Sequence, residues 1–151
     1  MAKLTEKRVH ELLLADEFEL AARLGRQIIK PLERIVSGDN LLLTAKAITL
    51  ASLVDDERFF QMFEAVSRSR KRFLRVSIAA AAANLQPPRA EPILVRLLKS
   101  RDVGVRKCAI RSAAHVATPK LRKQLEEIKK RDDEKELRGL AREMLDKLPP
   151  A

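Results

Sequence analysis

The chain has 151 residues, with 31 Lys and Arg against 21 Asp and Glu and a formal net charge of +10. One cysteine excludes an intramolecular disulfide framework, and four glycines leave little room for tight β-hairpins. Aromatics are 3% with no Trp or Tyr, so the core falls to Leu, Ile, Val and Ala, while the charge predicts attraction to polyanions or acidic partners.

The opening segment, Met1-Ala2-Lys3-Leu4-Thr5-Glu6-Lys7-Arg8, is charged and lacks a secretory apolar run. No apolar stretch approaches the ~18 residues that a membrane helix needs. The expectation is a soluble, cytoplasmic protein with a single domain over residues 1–151.

Apolar residues recur at three and four along almost the whole chain, the mark of amphipathic helices. In chain order, Thr5 to Ala15 and Glu17 to Ile29 read as two helices. Pro31 either starts a helix or kinks one. A helix follows over 40–54. Asp55 and Asp56 can cap the next, over 56–69, which carries Phe59, Phe60, Phe63 and Val66. Of its three phenylalanines one is expected outside, with Phe60 the candidate. The next helix, over 72–85, contains Ile78-Ala79-Ala80-Ala81-Ala82-Ala83, where small side chains predict close neighbours on both sides. Pro87-Pro88 ends it, because a residue before Pro avoids the helical region. Helices over 88–99 and 103–117 come next. Thr118-Pro119 resembles a cap with Pro at the first helical position, opening 119–131. A last helix covers 134–148.

One pattern is written four times. Leu43-Thr44-x-x-Ala47-x-x-x-Ala51-x-x-Val54 returns from Leu74, from Val105 and from Leu137, at steps of 31, 31 and 32 residues. Such a period predicts stacked helix pairs that bury their apolar faces on one another. The segment from Ala90 to Ala109 shows it best, with Pro92, Leu97-Leu98, Asp102, Val105-Arg106 and then Ala109 and Ala113. These residues resemble a HEAT repeat of the armadillo-like class, close to the short variety of phycobilin-lyase-type proteins. The resemblance implies an all-α, right-handed α-solenoid of about four antiparallel helix pairs over 31–148. Residues 1–30 would form an atypical N-terminal cap. It also implies a scaffold or adaptor and transfers no catalytic residue.

The family often places an Asp six residues before the arginine of the second helix, so that the two can join repeats. Those positions here are Gly38, Ser69, Ser100 and Asp132, and the arginine is Thr44 in the first repeat. Only Asp132 and Arg138 keep both partners, which predicts that Arg138 contributes more to stability than Arg106.

Little in the chain could carry catalysis. His10, His115 and Cys108 lack metal-ligand spacing. His115 and Cys108 share a helix face but stand about 10 Å apart along it at ~1.5 Å per residue. Cys108 reads as a small residue in a helix interface. Acidic pairs such as Asp132-Asp133 fall at helix starts, where capping accounts for them. The chain is expected to be no enzyme and to need no cofactor or metal.

The basic residues follow the repeat. Turns within the helix pairs carry Arg68, Arg70, Lys71 and Arg72, then Lys99 and Arg101, then Lys129, Lys130 and Arg131, with Arg106 and Lys107 close by. They are expected to form a ridge along one edge of the stack, with successive repeats ~10 Å apart. A groove on the second helices, around Ala80, Arg111 and His115, is the other candidate surface. The expected partner is a protein with an acidic surface. The alternative is a nucleic acid bound without sequence preference, although aromatic residues for stacking on bases are few. A weaker third reading is a lyase-like or chaperone-like helper of a cofactor-bearing protein.

Overall fold

The computed structural model describes residues 6–150. Among them the chain is helical throughout and holds no strand. Short leading helices α1 (Glu6–Leu14) and α2 (Phe18–Ala22) precede four antiparallel pairs. The pairs are α3 (Ile29–Ser37) with α4 (Leu41–Val54), and α5 (Phe60–Ser67) with α6 (Arg72–Ala81). They continue with α7 (Pro87–Leu97) and α8 (Val103–Val116), then α9 (Pro119–Arg131) and α10 (Lys135–Asp146). The second helices α4, α6, α8 and α10 pack side by side as one layer, while α5, α7 and α9 form the other. This is a HEAT-like α-solenoid. No helix among the described residues is long and apolar enough to cross a membrane.

Local chemistry sets the helix ends. Asn40, Asp102 and Thr118 each accept the backbone N–H three residues on, at Leu43 (3.1 Å), Val105 (2.9 Å) and Leu121 (3.3 Å). Each cap thereby satisfies a donor that the first helical turn leaves unpaired. Pro87 and Pro88 occupy the first positions of α7, where their missing N–H groups cost nothing. Asp55 and Ala117 close α4 and α8 in the left-handed region, at φ 50° and 53°.

Four sequence expectations change. Thr5 lies outside the described residues, and the second leading helix does not run from Glu17 to Ile29. Gly25, at φ +58°, interrupts it and opens a 3-10 turn over Gly25–Ile28. Pro31 does not begin a helix, because α3 starts two residues earlier at Ile29. It sits in the first turn of α3, where its nitrogen has no helical partner to lose. Asp55 does not cap the following helix. Asp56 alone does so, accepting from Arg58 N at 2.9 Å. Phe60 is half-buried beside the fully buried Phe59 and Phe63, and the exposed phenylalanine is Phe73, at 45%.

The alanine run behaves as its small side chains dictate. Ile78, Ala79, Ala81 and Ala82 are buried and only Ala80 is exposed. Helix α6 is thereby wedged between α4 and α8. The close approach lets the buried Ser112 hydroxyl of α8 donate to the carbonyl of Ala79 at 2.5 Å.

Candidate functional site

The turns within successive helix pairs lie side by side. Arg72 at the start of α6 reaches Asp102 of the next turn, Nε to Oδ2 at 2.7 Å. Arg106 of α8 reaches Asp132 of the turn after, Nε to Oδ2 at 3.0 Å and Nη2 to Oδ1 at 3.1 Å. Lys107 Nζ lies 2.9 Å from Glu136 Oε1. The opposite edge is tied differently. Arg89 holds both carboxylate oxygens of Asp55, at 2.6 and 2.7 Å, and Gln86 N donates to the same carboxylate.

Asp132 and Arg138 do not form the expected side-chain pair. Arg138 Nη1 donates to the backbone carbonyl of Asp132, at 2.5 Å. The carboxylate of Asp132 turns along the stack to Arg106 of the preceding repeat. Arg106 also donates to the Ser100 carbonyl at 2.8 Å, so one side chain fastens its own turn and the next. The six-residue spacing places an acid and an arginine on one turn, but the arginine's near edge is already used on the backbone. Thr44 replaces the arginine in the first pair and bonds the carbonyls of Asn40 and Ile35.

The basic residues separate into two groups. Arg68 meets Glu64 at 3.2 Å, Lys129 meets Glu126 at 3.7 Å, and Arg131 meets Glu127 at 3.6 Å. Together with Arg72, Arg106 and Lys107 these side chains are engaged within the chain. Arg70, Lys71, Lys99, Arg101 and Lys130 are exposed and make no ion pair among the described residues. Those five hold uncompensated charge on three consecutive turns.

Internal pairing shifts several carboxylates. Asp102 is held below its ordinary value, first by the Val105 N–H and then by Arg72. Lys107 lowers Glu136 in the same way. Arg58, donating through its side chain and its backbone, lowers Asp56 strongly. All three act as fixed anions near neutral pH.

Two crevices open between these turns. One of about 590 Å³ is lined by Ser67, Arg75, Arg96, Leu97, Lys99, Ser100, Arg101 and Asp102. The next, of about 460 Å³, is lined by Lys99, Arg101, Arg106 and Arg131, but also by Asp132, Asp133 and Glu134. The first is predominantly basic, with four cations against Asp102, whereas the second sets three acids against its four cations.

Ala80, Arg111 and His115 are exposed on the adjacent helices α6 and α8, so they share one face of the second-helix layer. Cys108 is partly buried against the core. No group of three or more His, Cys, Asp or Glu among the described residues is placed to hold a metal ion. The Asp55–Arg89 clamp, the contact of Arg96 with Glu64 and the exposed Phe73 were not singled out from the sequence. The clamp joins residues 34 apart, a spacing that the repeat pattern does not mark.

The family model for HEAT repeats matches residues 61–146. The chain belongs to the HEAT-repeat family. A solved HEAT-like structure, from the complex of CpcE and CpcF of phycocyanin lyase from Nostoc sp. PCC7120, is similar to it. The TM-score is 0.70 at 16% identity, over 87% of this chain and 88% of that one. No curated protein matches the chain. As a HEAT array it presents its intra-pair turns as one edge and its second helices as one face.

Proposed function

We propose that this HEAT array is a non-catalytic scaffold or adaptor that binds an acidic protein partner through its basic edge. The carrying observation is the group of five unpaired cations, Arg70, Lys71, Lys99, Arg101 and Lys130, on consecutive turns. Cations already engaged internally add little to an external field, whereas unpaired ones steer an acidic surface during approach. The solved relative lies in a complex of two lyase chains, which supports a protein as the partner. The face around Ala80, Arg111 and His115, on the second-helix layer, is the second contact surface. The compartment follows from this role and is taken as cytoplasmic.

Reversal of Arg70, Lys71 and Arg101 to Glu tests the reading. The triple variant loses the partner captured by the native protein, while its helicity and melting temperature stay nearly constant. A matched reversal of Lys120, Lys123 and Arg142, outside the edge, keeps binding. Equal loss in both triples assigns the effect to net charge. Retention in both moves the contact to the Ala80–His115 face. Capture abolished by nuclease, with a steep decline in added salt, assigns the edge to nucleic acid instead.

A further inference from the structure

The repeats supply an internal comparison. Ser69, Ser100 and Asp132 hold the same place in three successive turns. Each side-chain oxygen accepts the backbone N–H two residues on, at Lys71 (3.1 Å), Asp102 (3.2 Å) and Glu134 (2.9 Å). Each backbone carbonyl accepts Nη1 of the arginine six residues on, Arg75, Arg106 and Arg138 in turn.

The turns differ in what lies across the gap to the preceding repeat. At Asp132 the carboxylate receives the Nε–Nη2 edge of Arg106 in two parallel bonds. One repeat earlier the corresponding residue is Ser100, and its hydroxyl makes no bond to Arg75. Arg75 uses only Nη1, on the carbonyls of Ser69 and Arg70. Its Nε is buried without a hydrogen-bond partner. The Nε–Nη2 edge, which Arg106 fills with a carboxylate, therefore has no partner on Arg75 among the described residues.

The surroundings add to this. Arg75 lines the 590 Å³ crevice together with Arg96, Lys99 and Arg101. Arg96 also has a buried Nε without a partner, and its Nη2 makes only a long contact of 3.5 Å with Glu64. The one acid in the lining, Asp102, is already engaged by Arg72 Nε and Val105 N. Nothing among the described residues supplies an anion to the Arg75 edge.

We propose that this crevice takes the carboxylate of an Asp or Glu side chain of the partner, which supplies from outside the rung that Asp132 forms from within. The inference deepens the acidic-partner reading and rests on it. A planar carboxylate matches the parallel N–H pair of a guanidinium edge. In the neighbouring repeat the equivalent edge of Arg106 holds such a group, the carboxylate of Asp132. A carboxylate in the crevice would also bring Lys99 and Arg101 to bear at its rim.

The test uses the full chain, labelled with nitrogen-15, and the arginine Nε–H resonances. The probe is a capped Gly-Asp-Gly peptide with one carboxylate, and inorganic phosphate is the parallel arm. The Arg75 signal, assigned by its loss in Arg75→Lys, is expected to move saturably with the peptide, and the Arg96 signal with it. Ser100→Asp supplies the missing carboxylate internally. It is expected to raise the melting temperature and weaken peptide binding about ten-fold or more. Ser100→Asn, similar in size and neutral, retains binding and guards against a folding artefact.

A peptide that leaves the Arg75 signal unmoved overturns the proposal. So does phosphate moving it where the peptide does not, or peptide affinity equal in Ser100→Asp and the native chain. The edge reading fails separately. If the Arg70, Lys71 and Arg101 reversal spares partner capture while Ser100→Asp blocks the peptide, the edge falls and the crevice stands. If that reversal abolishes capture while Ser100→Asp leaves peptide binding unchanged, the crevice falls and the edge stands.

Discussion

The guanidinium of Arg106 and the carboxylate of Asp132, 26 residues apart in the chain, meet along two hydrogen bonds of 3.0 and 3.1 Å. Their side chains are only 12% and 6% exposed, so the pair joins the last two repeats from the inside. Asp132 is fully engaged, because its Oδ1 also accepts from Glu134 N.

Arg106→Ala is therefore expected to destabilise more than Arg138→Ala, the reverse of the order that sequence spacing predicts. Removing Arg106 leaves a buried carboxylate unpaired, a loss of ~3–5 kcal/mol. Removing Arg138 costs a charge-assisted bond to one carbonyl, about 1.5–3 kcal/mol at most. Chemical denaturation of the two variants checks the order.

Asp102 predicts an acid limb. Its carboxyl is lowered in the folded state by the Val105 N–H and by Arg72. The folded value lies below the unfolded one, so the stabilisation is present above the unfolded value, near ~3.9. It is lost as pH falls through the folded value. Asp102→Asn is expected to flatten the decline of melting temperature across that acid window. A Cβ at Gly104 would overlap Arg72 Nη2, so Gly104→Ala is expected to displace the arginine and remove only its share.

Ala117 ends α8 at φ 53°, where a Cβ is disfavoured. Ala117→Gly is expected to stabilise by roughly 0.5–1 kcal/mol, since glycine enters that region without a steric penalty. For a domain of this size that is about 2–4 °C in melting temperature per kcal/mol. Calorimetry checks it, and an unchanged midpoint would show that the added freedom of the unfolded glycine offsets the relief.

The alanine layer predicts intolerance to volume. Ala82 and Ala113 are both fully buried. Ala82→Leu or Ala113→Leu is expected to overpack the contact between second helices and cost ~1–3 kcal/mol. Ala80→Leu, on the exposed face of the same run, should leave the unfolding midpoint nearly unchanged.

The sequence by itself determined the repeat and its architecture. Leu43, Leu74, Val105 and Leu137 recur at nearly constant spacing, and each period holds two amphipathic helices that must bury an apolar stripe. The cap at Thr118 was legible because its hydrogen bond spans only three residues. The basic edge was legible as a list of turn residues, for the period places those turns in register. What the sequence left open was the partner of each charge. Arg106 and Arg75 follow the same pattern along the chain, yet one is paired with Asp132 and the other has no partner on its Nε–Nη2 edge among the described residues. Tertiary structure alone decided this, because the carboxylate each arginine meets is set by the offset between stacked helices and by side-chain length across the gap. Aspartate spans that gap and serine does not.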